Sequence, residues 1–211
     1  MAGGYNPEKH HRRSIRLKGY NYAQRGAYFV TICTQNRECV FGNVQQDDMA
    51  LNDAGIMIQN AWNDLSIKCP GTVIDEFIVM PNHVHGIIFI IGAPLVGALS
   101  LNSRIDGTNR VHPGTDRIQP AKDRAGTRPA PTTSLGDVVG IFKSISTHQY
   151  AMNVYANKWP PFPGKLWPRN YYERIIRNEI EMNRIRQYII NNPSQWENDE
   201  NNPENYMNAD F

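Results

Sequence analysis

A chain of 211 residues that is 40% hydrophobic is large enough for one domain with a true core, and a formal charge of +2 names no partner by itself. Cys33, Cys39 and Cys69 are odd in number and fit no metal-knuckle spacing, which argues against a disulfide framework and for a reducing compartment. No apolar run nears the ~20 residues of a membrane span, and MAGGYNPEKHHRRS lacks the apolar stretch of a signal peptide. The expectation is therefore a cytoplasmic protein with no membrane partner.

Charge is unevenly spread. Residues 1–25 form a basic arm, with Lys9, Arg12, Arg13, Arg16, Lys18 and Arg25 against Glu8. Residues 197–211 read as an acidic tail carrying Glu197, Asp199, Glu200, Glu204 and Asp210 and no Lys or Arg. One end meeting a polyanion while the other stays in solvent accounts for this, although two solvated tails give the same pattern.

Residues 26–196 read as a single domain. GAYFVTICT (26–34) alternates β-branched and aromatic residues after a Gly and predicts a strand. Residues 47–65 predict a helix with Met49, Ile56, Ile58, Trp62 and Leu65 on its apolar side, against which Gly55 counts. TVIDEFIVM (72–80) is a second strand, Met80–Pro81–Asn82–His83 a tight turn, and HVHGIIFII (83–91) a third strand, antiparallel to the second. From 92 to 133 the composition shifts to Gly, Pro, Thr, Asn and Ser, which predicts a flexible insertion. Residues 134–155 form the clearest helix, with Ser134 and Asp137 at capping positions. A strand over 166–176, with Pro168 near its start, and a helix over 178–191 ending before Pro193 complete the order. Strand, helix, strand, strand, helix, strand is the split βαβ pattern twice over. It predicts an α+β, ferredoxin-like fold: a four-stranded antiparallel sheet with helices on one face, plus a C-terminal helix.

VMPNHVHGII (79–88) places two histidines one residue apart in an apolar strand. Residues i and i+2 of a strand share a face, so His83 and His85 present paired imidazoles, half of a divalent-metal site. Two satisfied core histidines are the competing interpretation. A histidine-triad hydrolase would need a third His where Ile87 stands. A third ligand could come from QYIINNP, where Tyr188 and Asn192 are four apart on one helical face.

MPNHVHGII, SLGDVVGIFKS, LWPRNYYERIIRNE and YIINNPSQW together resemble the single-tyrosine HUH transposases, within them the branch of REP-associated tyrosine transposases. The resemblance spans roughly residues 14–196, and the insertion at 92–133 departs from it. It implies that His83 and His85 are metal ligands, Asn192 the third ligand and Tyr188 the nucleophile, on a late helix. It further implies a divalent metal, Mg²⁺ or Mn²⁺, single-stranded or hairpin DNA as partner, and nicking and joining through a 5′-phosphotyrosine. Monomer and homodimer both stay open, as does association with the nucleoid during action. Arg12, Arg13, Arg16 and Lys18 could grip a DNA backbone, with Lys143 and Arg169 near the same groove. Trp159, Phe162, Trp167, Tyr171 and Tyr172 could stack on splayed bases. Two alternatives stand: a domesticated hairpin-binding protein without turnover, and a metal phosphoesterase.

Overall fold

The computed structural model describes residues 21–91 and 133–207. Arg12, Arg13, Arg16, Lys18 and nearly all of the 92–133 insertion lie outside the described residues.

Strand β1 (Gly26–Cys33) is followed by a hairpin of β2 (Gly42–Gln45) and β3 (Asp48–Leu51), helix α1 (Asp53–Asn63) and the short α2 (Leu65–Lys68). Then come β4 (Thr72–Val79), β5 (His83–Ile90), α3 (Leu135–Asn157), β6 (Tyr172–Ile176) and α4 (Glu179–Ile190). The main sheet runs β4-β5-β1-β6, and every neighbouring pair is antiparallel. This is the ferredoxin-like α+β architecture expected from the pattern.

The sheet has apolar side chains on both faces. Tyr28, Val30, Ile32, Val84 and Ile88 meet Ile58, Trp62, Val138 and Phe142 of α1 and α3 in the larger core. Ala27, Phe29, Ile87 and Ile176 on the opposite face meet Met182, Ile185 and Ile189 of α4. The last helix therefore covers the side of the sheet that α1 and α3 leave open. Period-two alternation in β1 and β5 makes both layers at once.

Several elements depart from the sequence expectation. The helix predicted from residue 47 begins at Asp53, capped by Asn52, whose side chain accepts from Gly55 N at 2.9 Å. Residues 48–51 are instead strand β3, and Met49 sits there rather than on the helix. The turn between β2 and β3 puts Gln46 and Asp47 at φ 49° and 65°, the left-handed pair of a two-residue hairpin turn without the usual Asn-Gly signature. Gly55 belongs in α1, because a Cβ there would lie 2.2 Å from the Phe41 carbonyl oxygen. Ile56, placed on the apolar side by periodicity, is exposed, as is Met152 of α3.

The strand expected over 166–176 is confined to Tyr172–Ile176. The preceding residues anchor instead: Leu166 and Trp167 are buried, and Trp167 Nε1 donates to Ser146 Oγ at 2.8 Å. Helix α3 opens on the expected capping box of Ser134 and Asp137, and α4 on Asn178, which accepts from Glu181 N at 2.8 Å. The described residues after α4 are not a solvated tail. A 3-10 turn over Pro193–Asn198 leads into Asp199, Asn201 and Asn202, all buried.

Candidate active site

Strand β5 sends Val84 and Ile88 toward α1 and α3, and His83, His85 and Ile87 toward the opposite layer. Gly86 lets the strand sit against Trp62, for a Cβ there would come within 2.3 Å of Trp62 Cζ2. The tight turn expected before β5 is stitched to the body of the protein. Pro81 O accepts from Val40 N and Phe41 N at 3.0 Å, and Asn82 O accepts from Thr34 N at 2.8 Å.

That rigid turn sets the His83 tautomer. Both protons of the Asn82 amide are used, donated to Arg37 O at 2.9 Å and to Asn201 O at 2.7 Å. Its Oδ1 therefore faces His83 Nδ1 at 2.8 Å as an acceptor, so Nδ1 carries the ring proton and Nε2 keeps a lone pair. His85 Nδ1 lies 2.8 Å from Thr31 Oγ1 of β1, a hydroxyl that can donate or accept. The two Nε2 atoms are 3.0 Å apart. Two lone pairs cannot face each other at that distance without a proton or a cation between them.

Burial pushes His83 down to about 3 and His85 well below its ordinary range, the latter also through the neighbouring His83. Both rings are therefore neutral near pH 7, the form that ligates metal. Asn192, just beyond the end of α4, is buried beside His83 and Tyr188, and its Oδ1 is in no well-formed hydrogen bond. An unpaired buried amide oxygen costs about 1–3 kcal/mol, an expense that a cation on it would relieve. Asp199 completes the cluster: one donor atom each from His83, His85 and Asp199 lies within 4.8 Å of the others. The donor set of two imidazoles and carboxylate or amide oxygens fits a divalent ion.

Tyr188 projects from α4 beside this cluster, with Oη 3.3 Å from His85 Nε2. Phe29 meets the Tyr188 ring edge-on at 5.9 Å and stacks on His85 at 5.4 Å, fixing both from the sheet side. Burial raises the Tyr188 pKa, with Asp199 adding to it, so the group is a phenol at neutral pH. Two ion pairs dock its helix, Arg186–Asp75 to β4 and Glu181–Arg174 to β6.

The structure thus brings together His83, His85 and Tyr188, with Asn192 close to His83 and Tyr188, four residues from two distant segments. Lys143 is occupied otherwise: its Nζ donates to the carbonyls of Pro168, Arg169 and Asn170 at 2.8, 3.3 and 3.1 Å, holding the loop before β6. Arg169 is exposed on that loop. Trp159 and Phe162 pack around Tyr150, and Trp167 lies between Phe41 and Phe142. Sequence reasoning missed Thr31, Asn82 and Asp199. The first two act through ring nitrogens, for which no spacing rule exists. Asp199 stood among residues read as solvated, where the dense Asn and Pro of ENDENNPEN, suited to local backbone-capping turns, was the only signal.

No family model matches the chain. It is 38% identical over 200 residues to a protein of Haemophilus influenzae described as uncharacterized, across 95% of this chain and 98% of that one. The chain belongs to that protein's family. Among solved structures it is similar to a REP-associated tyrosine transposase bound to a REP hairpin, with TM-score 0.49 and 16% identity, over 87% of this chain and 74% of that one. A Deinococcus radiodurans protein provisionally called a transposase gives TM-score 0.41 and 17% identity, over 84% of this chain and 97% of that one. No described helix is long and apolar enough to cross a membrane.

Proposed function

We propose that this protein is a transposase-like enzyme that nicks and joins single-stranded DNA near hairpins, with Tyr188 as nucleophile. One observation carries the reading: a half-exposed tyrosine whose hydroxyl lies 3.3 Å from one ring of a buried, neutral His pair, beside a buried amide oxygen in no well-formed hydrogen bond. A purely structural tyrosine would have no need of such neighbours.

In the reaction, Tyr188 Oη attacks the phosphorus of a phosphodiester. The Oη–P bond forms and the P–O3′ bond breaks, the phenol proton leaves to solvent, and the departing 3′ oxygen takes up a proton. The 5′-phosphotyrosine keeps the bond energy, so a 3′-hydroxyl can later reverse the step and join strands. An ordinary phenol of pKa ≈ 10 is only about one part in a thousand ionised at pH 7, and burial here makes that smaller still. A divalent ion held by His83, His85 and Asn192, with the Asp199 carboxylate alongside, would supply the polarisation of the phosphate that this weak nucleophile needs. Asn82 and Thr31 orient the two rings toward it. Phe29 holds Tyr188 in place.

The test uses labelled single-stranded oligonucleotides tiling the DNA on either side of the gene, incubated with protein and Mn²⁺. A denaturant-resistant protein–DNA adduct is expected, lost in Tyr188→Phe and in His85→Ala while binding survives in the former. Binding without adduct on every oligonucleotide would instead indicate a hairpin-binding protein. Cleavage without adduct would indicate a phosphoesterase.

A further inference from the structure

A groove of about 740 Å³ opens beside Tyr188, between the β1–β6 edge of the sheet and α4. Of the His83–His85–Asp199 cluster only His85 lines it. On its floor Tyr172, the first residue of β6, is 48% exposed, and Tyr188 is 47% exposed. Phe29 supports Tyr172 edge-on, with centroids 6.4 Å apart, as it supports Tyr188. Tyr172 also pairs in register with Thr31, the residue that hydrogen-bonds His85. It is therefore an aromatic face separated from the His pair by one intervening strand, β1.

Of the other aromatics singled out from the sequence, only Tyr171 also lines the groove. Trp167 is buried in the core, Trp159 and Phe162 pack against it, and Tyr171 is half-buried with its ring beneath Lys143. The groove's arginines divide in the same manner. Arg37 donates to the Glu200 carbonyl, and Arg174 is held by Glu181 at 2.6 Å. Arg184, one helical turn before Tyr188 on the same face, lines the groove, is exposed, and forms no ion pair among the described residues.

An exposed aromatic face and a guanidinium without an ion pair among the described residues, both beside Tyr188, fit an unstacked nucleotide: the base against the ring, its phosphate against the arginine. We propose that this groove is a nucleotide subsite in which Tyr172 stacks on the base flanking the scissile phosphate and Arg184 grips the adjoining phosphate. The proposal rests on the reading of Tyr188 as nucleophile for its position on the strand, but not for its occurrence. Stacking tolerates any base, so the subsite holds the strand in line and leaves sequence choice to other contacts.

The test is direct binding, in a Tyr188→Phe background that cannot cut. A dT15 oligonucleotide with one central 2-aminopurine is titrated with protein, and fluorescence quenching reports stacking. Quenching is expected with Tyr172 present and with Tyr172→Phe. It should be lost in Tyr172→Ala and Tyr172→Leu, with affinity at least about fivefold weaker, as for loss of one base–aromatic stack. The leucine variant keeps bulk on the strand, so loss there reports the aromatic face and not the fold. Arg184→Ala should keep the quenching but flatten the slope of log affinity against log salt by about 0.7, the share of one phosphate contact on a single strand. Quenching and affinity unchanged in both the alanine and leucine variants, or no quenching with Tyr172 present, would overturn the base platform. An unchanged salt slope would overturn the role of Arg184. None of these readings needs an adduct, so failure of the Tyr188 chemistry and failure of the subsite are told apart.

Discussion

The Asn82 amide spends both protons on backbone carbonyls and offers only its oxygen to His83, which leaves Nε2 of that ring free to ligate. Asn82→Ala removes the acceptor that fixes the tautomer. Mn²⁺ affinity should then fall about 10–100-fold, as for other residues that orient a ligand. Calorimetric titration checks it, and an unchanged affinity would remove Asn82 from the site. The same burial makes the metal-free protein acid-sensitive. His83 titrates at about 3 in the folded chain against its ordinary 6.5, and His85 is lowered in the same direction. Below pH 6.5 the unfolded chain binds protons that the folded chain refuses. Stability is therefore full above that pH and declines as pH falls toward 3, by up to about 1.4 kcal/mol per pH unit for each such histidine. Urea melts of the metal-free protein at pH 7.5 and 5.5 should show this loss, and His83→Gln should reduce it. Equal midpoints at the two pH values would contradict the buried neutral pair.

At the level of elements, what the sequence made legible was what local periodicity encodes. Strand β5, the capping box of α3 and the Asn178 cap of α4 all carry strong short-range signals, and all lie within two residues of their expected bounds. The β2–β3 hairpin was hidden because its turn uses Gln46 and Asp47 in left-handed geometry that their types do not advertise. Residues 166–171 looked like strand because Leu166 and Trp167 are apolar, but they are buried as anchors while their loop carbonyls satisfy Lys143. Such tertiary partners leave no periodic trace. Gly86 shows the converse, a residue whose reason is visible only in three dimensions. Gly86→Ala would force the strand and Trp62 apart and should destabilise the fold by about 1–3 kcal/mol, the usual range for overpacking a filled core. Thermal denaturation measures it. A variant as stable as the parent would show that β5 and α1 are not pressed together there.

Over the whole molecule, the candidate site joins chain segments more than a hundred residues apart, and the segment that supplies Asn192 and Asp199 closes over the sheet from beyond α4. A His-x-His pair and a Tyr four residues before an Asn were readable from sequence. Their meeting was not, because it depends on α4 crossing the face left open by α1 and α3. An ion bridging β5 to the C-terminal segment would bind the folded chain and not the unfolded one. Millimolar Mn²⁺ should therefore raise the melting temperature, by the equivalent of about 2.7 kcal/mol at a hundredfold excess over Kd. Mg²⁺ should do less, since imidazoles suit Mn²⁺ better. The gain should vanish with chelator and in His85→Ala, and an equal gain in that variant would place the ion elsewhere. The central claim is that Tyr188 becomes covalently joined to DNA, and tandem mass spectrometry of the protease-digested, nuclease-trimmed adduct tests it most directly. A nucleotide linked through its 5′ phosphate to Tyr188 is the predicted result. A nucleotide on any other tyrosine, or cut DNA with a free 5′ phosphate and no modified peptide, would contradict it.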